Sequence, residues 1–193
     1  MSTPAYLNID RENAPGVVVG RKSREAVAAR DKEAWLDIFA EDGIVEDPVG
    51  PSMFDEEGVG HRGRAALSEF WDKTIATTEK LDFVFDEEII CGNEVAYVGK
   101  IVTHIAGHIS EAKGVFTYRA DADGKLAALR AFWEVEKTVA QALRADPNTF
   151  ELLFVPTVRA TDEVGEWLLA ARESFVSTQL FGSFGKYALR QLD

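Results

Sequence analysis

A single cysteine, Cys91, in 193 residues rules out an internal disulfide and any zinc site built on four thiolates. Basic residues are scarce as well: 21 Lys and Arg stand against 33 Asp and Glu, a formal charge of −12. That balance repels a phosphate backbone, and the richest basic stretch, GRKSR at 20–24, is short, so nucleic acid is not an expected partner. No run of apolar residues approaches the roughly 18 that cross a bilayer, and the opening MSTPAYLNIDRENAPG has no apolar signal stretch. A cytoplasmic protein without membrane contact is expected. What is present, 46% hydrophobic and 28% charged residues, suits a globular domain able to bury a sizeable core.

Hydrophobic spacing divides the chain into three parts. Residues 1–16 form an irregular arm and residues 17–137 a domain, while 138–193 form a helical extension packed on that domain or on a partner subunit. Within the domain, Val19, Ala26, Val27 and Ala29 mark a helix from about Val17 to Arg30. Trp35, Ile38 and Phe39 mark a second through KEAWLDIFAED, broken at Gly43 before a short strand, IVED. A Pro- and Gly-rich loop over 48–63 leads to a third helix carrying Leu67, Phe70, Trp71 and Ile75. After Lys80 the texture becomes strand-like, with hairpin turns at Gly92–Asn93 and Asp121–Gly124. Helices followed by a strand meander predict an α+β fold with the helices on one face of a curved antiparallel sheet. In the extension, Thr161 is a helix cap and Val164, Trp167, Leu168, Ala171 and Phe175 form one stripe.

Several motifs resolve to ordinary structure. GVGHRG at 58–63 spells a dinucleotide fingerprint, but the acidic FDEE precedes it where a buried strand is required, so the glycines shape a loop. DADG at 121–124 fails the calcium-loop frame, which would place Arg119 and Arg130 at ligand positions. His104 and His108, read on one strand, stand ~13 Å apart, too far to share a metal. Cys91 lacks an activating base. No metal and no cofactor are expected. The stretch VEDPVGP at 45–51 is different. Asp before Pro is ordinarily a turn residue, yet Asp47 lies at the end of a strand between aromatic-rich helices.

Taken together, IFAEDGIVEDPVGP, GRAALSEFWDKTI, GNEVAYVG and GKLAALRAFWE resemble the ketosteroid isomerases of the SnoaL-like, nuclear transport factor 2-like superfamily. The resemblance covers roughly 17–137 and implies a cone: a curved sheet around helices with a hydrophobic pocket at one end, and a homodimer. It implies that Asp47 is a general base that shuttles a proton on a small hydrophobic ligand. Strand alternation in that fold points Tyr97, Ile101, Phe116, Tyr118, Leu129, Ala131 and Trp133 into the pocket. Phe54 in the long loop and Trp71 on the third helix join the set. Ketosteroid isomerase is the standard illustration of an oxyanion hole made by a Tyr and a protonated Asp; here those positions hold Ser23 and Gly114. Ser23, His104, the Trp133 indole N–H and the Tyr97 and Tyr118 hydroxyls are the candidate replacements as polar donors. The resemblance therefore implies either an isomerase-like enzyme or a carrier that kept the pocket without the chemistry.

Overall fold

The computed structural model describes residues 9–105 and 107–139; the extension expected beyond 139 lies outside the described residues. Pro15 opens helix α1 (Pro15–Ala29), at a position where a missing N–H costs nothing and the fixed φ suits the helix. Arg30 then adopts a left-handed φ of 58° and donates its N–H to the carbonyls of Ala26 and Val27, stopping the helix in a role that Gly more often fills. Asp31 caps α2 (Lys32–Ile38) by accepting from the Ala34 N–H at 2.9 Å, satisfying a donor that the first turn leaves open.

The spacing of Trp35, Ile38 and Phe39 predicts a helix through Asp42. The chain instead becomes extended at Phe39, and β1 runs Phe39–Glu46 with Gly43 inside it. Buried Phe39, Ile44 and Val45 gain strand partners and, for Phe39, an edge-on contact with Trp35 at 4.7 Å. Packing of this kind outweighs a weak helical preference. Then follow β2 (His61–Arg62), α3 (Gly63–Lys73), a 3₁₀ turn (Ile75–Thr77), β3 (Lys80–Cys91), β4 (Glu94–Ile105), β5 (His108–Ala120) and β6 (Leu126–Trp133).

The strands form one sheet in the order β2-β1-β6-β5-β4-β3. Neighbours from β3 to β6 are antiparallel, as is the β1–β2 pair, but β1 runs parallel to β6. The sheet is therefore mixed, a correction to the wholly antiparallel expectation. No hairpin constrains β1 against β6, because everything from β2 to β5 lies between them in sequence.

Both predicted hairpins form. Gly92, at φ 63°, opens the two-residue turn between β3 and β4, as a type II′ turn requires. Asp121 Oδ1 accepts from the N–H of Asp123 (2.9 Å) and Lys125 (2.8 Å) between β5 and β6. A third hairpin was not visible in the sequence: Ile105 pairs with His108 across residues 106 and 107. His104 and His108 consequently stand on opposite arms of a turn rather than on one strand.

Side chains alternate along each strand, one set facing the helices and the other facing outward. In β3 the register slips between Phe85 and Glu87, and this extra residue reverses the parity. Leu81, Phe83, Phe85 and then Ile90 pack against the core, whereas Ile89 is exposed. Helix α1 lies tightly on the inner face: a Cβ added to Gly16 would stand 2.7 Å from the Val95 nitrogen and 2.8 Å from the Tyr118 carbonyl oxygen. Gly20 likewise meets the Tyr118 ring at 3.0 Å. Absence of two side chains lets the helix approach the sheet, which brings Ser23 and Arg24 over its inner residues.

Gly16→Ala tests this approach. Helix propensity would favour the change by at most about 1 kcal/mol, while crowding against immovable backbone costs about 1–3 kcal/mol. The variant should be less stable in urea denaturation; a more stable variant would contradict the close contact.

Candidate functional site

Between the helices and the inner face of the sheet lies a cavity of about 180 Å³. Its walls follow from strand parity. From β6 come Leu129 and Trp133, from β5 Phe116, Tyr118, Ala112 and Ser110, from β4 Ile101 and Thr103, and from β3 Leu81 and Phe83. Ser23 and Val27 of α1, Trp35 of α2 and Phe70 of α3 close the other side. Thr74, Ile75, Thr77 and Thr78 line it as well, and the Arg30 guanidinium bonds the carbonyls of Ile75 and Thr78. Most of this surface is apolar.

Asp47 is the ionisable carboxyl in that wall. Two anchors hold it. Glu46, the last paired residue of β1, lies opposite Arg130 and accepts from its Nε at 2.6 Å. Two residues beyond Asp47, the Val49 N–H donates to the Ala131 carbonyl at 2.8 Å. Trp133 Nε1–H donates to Asp47 Oδ1 at 2.6 Å, a short, charge-assisted bond. Burial pushes the carboxyl from its usual 3.8 up to about 6, and the indole hydrogen bond, which favours the charged form, offsets only part of that rise. Near neutral pH the group is mostly a carboxylate with a pKa close enough to exchange protons.

Tyr118 supplies a second polar group. Burial pushes its hydroxyl up to about 12, against the opposing pull of the Arg24 cation, so it stays protonated and able to donate. The Arg24 guanidinium lies over the rings of Tyr97 (4.6 Å), Phe85 (5.5 Å) and Tyr118 (5.6 Å). Ser23, 2% exposed, accepts from Trp35 Nε1 at 3.0 Å, which leaves the hydroxyl's own proton to give.

Asp47, Ile101, Phe116, Tyr118, Leu129, Trp133, Phe54 and Ser23 meet around the one cavity. Four other candidates do not. Ala131 has the inward parity but is buried in the core away from the cavity wall. Tyr97 shares the inner face but is stacked on Phe85 at 4.7 Å beneath Arg24, because α1 crosses the sheet there. Trp71 packs behind the wall against Trp35 at 5.4 Å. His104 has the opposite parity to Ile101 and Thr103, and its Nε2 lies 2.9 Å from Asp82 Oδ2 on the outer face. Leu81, Phe83, Thr103, Ser110 and Arg24 were not singled out in the sequence, and Val27 and Phe70 were read there only as apolar helix positions. Alternation along β3 and β4 was the available signal for Leu81, Phe83 and Thr103, whereas Ser110 required the third hairpin.

Two local features bear on the chemistry. The Gly-rich run is folded around its own acid: Asp55 accepts from the N–H of Gly58 (3.1 Å) and Gly60 (2.6 Å). At Gly114, where the resemblance would align a second Asp, a Cβ would lie 2.0 Å from the Phe132 carbonyl oxygen, so no side chain fits. Among the described residues no group of three or more His, Cys, Asp or Glu is placed to hold a metal, and no helix is long and apolar enough to cross a membrane.

A curved mixed sheet packed on helices, with a desolvated carboxylate in the wall of an apolar cavity, defines an α+β pocket protein of the nuclear transport factor 2-like fold. The chain belongs to the SnoaL-like domain family, whose model matches residues 21–129. It is similar to a steroid Δ-isomerase of Nocardioides simplex, with 28% identity over 111 residues, 56% of this chain and 81% of that protein. The Δ5-3-ketosteroid isomerase of a Mycobacterium species has a similar structure (33% identity, TM-score 0.60, covering 64% of this chain and 95% of that one). So does RV0760c of Mycobacterium tuberculosis, solved in complex with estradiol-17beta-hemisuccinate (31% identity, TM-score 0.60, covering 64% and 97%).

The raised Asp47 pKa carries a stability consequence. Below about pH 3.8 the group is protonated in both folded and unfolded chains, and burial has no electrostatic cost. As pH rises, the unfolded chain ionises first, so the fold loses stability until about pH 6 and the penalty is constant above. At about 1.4 kcal/mol per pH unit the loss reaches roughly 2–3 kcal/mol. Asp47→Asn should therefore be more stable than the wild type at pH 7–8, with the advantage gone by pH 4. Thermal melts across this range check it; a variant destabilised equally at both ends would show the carboxylate to be favourably solvated.

Proposed function

We propose that the protein is isomerase-like, with Asp47 removing a proton from the carbon next to a carbonyl in a hydrophobic, steroid- or polyketide-sized compound. The observation that carries this reading is the Asp47 carboxylate itself, desolvated, raised to about 6 and bonded, among the described residues, to one indole N–H in a largely apolar wall. Its proton affinity suits a base that takes a proton from one carbon and returns it to another. As the C–H bond breaks, its electrons move onto the carbonyl oxygen, and Asp47 becomes the neutral acid that reprotonates the enolate. The Tyr118 and Ser23 hydroxyls, both on the cavity wall, are the donors for that oxygen in place of the Tyr and Asp pair, and Arg24 behind Tyr118 strengthens the first. Similarity to a steroid Δ-isomerase supports the same ligand class.

Gly114 favours a second reading, a carrier of such ligands without turnover, since removing one preorganised donor ordinarily lowers a rate by ~10²–10³. Pairing of two copies and a cytoplasmic location belong to this proposal too; the exposed Val84, Ile109 and Phe132 give the outer sheet face the apolar surface two copies would share. A single-copy mass in solution would remove the pairing.

Incubation of a panel of steroid enones in D₂O decides between the two readings. Deuterium incorporation at the α- or γ-carbons that falls at least ~10²-fold in Asp47→Asn is the expected result. Bound ligand with no exchange in the wild type would make the protein a carrier.

A further inference from the structure

The cavity has hydroxyls at several places, and they are not equivalent. Those of Thr74, Thr77 and Thr78 are occupied within their own turns, donating to the carbonyls of Phe70 (2.6 Å), Thr74 (2.7 Å) and Ile75 (2.8 Å). Thr103 of β4 and Ser110 of β5 are directly opposite each other in register and both line the cavity. Ser110 is 6% exposed, yet among the described residues neither side-chain hydroxyl has a hydrogen-bond partner. Neither is among the described side-chain atoms that are sealed without a partner, Arg24 Nη1 and Thr117 Oγ1. Their remaining exposure is toward the cavity.

A hydroxyl open to a cavity is met by water in the free protein, and a ligand group that takes the place of that water gains the net worth of one hydrogen bond. Register fixes where this pair sits relative to Asp47. Trp133, which holds Asp47, lies opposite Gly114. Gly114 and Ser110 are four residues apart on one strand, ~13 Å at the usual rise. Ile101, Ala112, Leu81 and Phe83 line the cavity as well, and the Ile101–Ala112 pair lies in register between the two levels. The wall thus runs polar, apolar, polar.

We propose that Thr103 and Ser110 form a distal polar anchor that selects rigid apolar ligands carrying a hydroxyl or carbonyl at the end opposite the group presented to Asp47. This rests on the reading of Asp47 as the carbonyl end of the site. It names the substrate class more narrowly: a polycyclic or similarly stiff body with oxygen at both ends, rather than any hydrophobic ketone. The pair does not touch the reacting carbons and sets specificity through ligand orientation. Thr138 lines the cavity from the helical segment after β6 and is not one of the two hydroxyls in register.

The test uses two probes that differ only at the far end: testosterone, with a 17-hydroxyl, and its 17-deoxy analogue, androst-4-en-3-one. Binding to the full chain is measured by calorimetry in the wild type, Thr103→Val, Ser110→Ala and the double variant, each checked for an unchanged melting profile. Thr103→Val keeps the branched strand shape, so loss of the hydroxyl is separated from loss of the fold. The wild type should prefer the hydroxylated probe by about 3- to 10-fold, the worth of one net hydrogen bond, and the double variant should lose that preference. Equal affinity for both probes in the wild type, no binding of either, or a preference that survives in the double variant would overturn the anchor. Because the readout is binding, it is independent of proton transfer. A preference abolished by the double variant with no deuterium exchange would leave the anchor standing and remove Asp47 as base, and the reverse pattern would do the opposite.

Discussion

One hydrogen bond between two strand ends organises the site: the indole N–H of Trp133 to the carboxylate of Asp47. An ionised acid in an apolar wall is expensive, and the one donor it has among the described residues compensates only part of the cost, which is why the carboxyl sits near 6 rather than near 4. A second donor, or a guanidinium against the carboxylate, would stabilise the charge more fully and spoil it as a proton acceptor. The Arg24 cation is nearby but lies over tyrosine and phenylalanine rings rather than on the acid. Stability is sacrificed locally, and the compromise is a common one where a site keeps a desolvated group.

Parallel pairing of β1 with β6 makes that bond available. Both strands run in the same direction, so the residue after β1 and the last residue of β6 emerge at the same end of the sheet. Antiparallel pairing would have sent Asp47 and Trp133 to opposite ends. The ion pair of Glu46 with Arg130 and the bond from Val49 to Ala131 then fix the chain on either side of the acid. From the opposite wall, Gly16 and Gly20 let α1 settle directly on β4 and β5, bringing the Ser23 hydroxyl onto the cavity. The helix approach and the strand pairing thus converge on one small volume.

Much of this was legible in the sequence, for reasons that can be traced. The period-two pattern from Lys80 onward, punctuated by Gly92–Asn93 and Asp121–Gly124, gave the hairpins, and the fold that the family resemblance implies told which parity faces inward: that of Ile101, Phe116, Tyr118, Leu129 and Trp133. The same parity argues against His104, whose even number puts it outside; its imidazole suggested a function that the strand denies it. Tyr97 satisfied the parity and still fell outside the cavity, since alternation gives the face of a sheet but not where a helix will cover it. The mixed topology was not legible. Strand propensity says nothing about direction, and β1 has no short connection to β6. The reversal that pairs Ile105 with His108 was hidden because the sequence between the two histidines carries little turn signal, and with it went Ser110.

The site depends on a desolvated carboxylate bonded to the Trp133 indole and poised near neutrality. The most direct test is carbon-13 titration of the Asp47 carboxyl, followed together with the Trp133 indole N–H in the same samples. A shared midpoint near pH 6, absent from the indole signal in Asp47→Asn, is the predicted result. A carboxyl midpoint near 4, or an indole resonance that ignores it, would show a solvated acid without the partner on which the site depends.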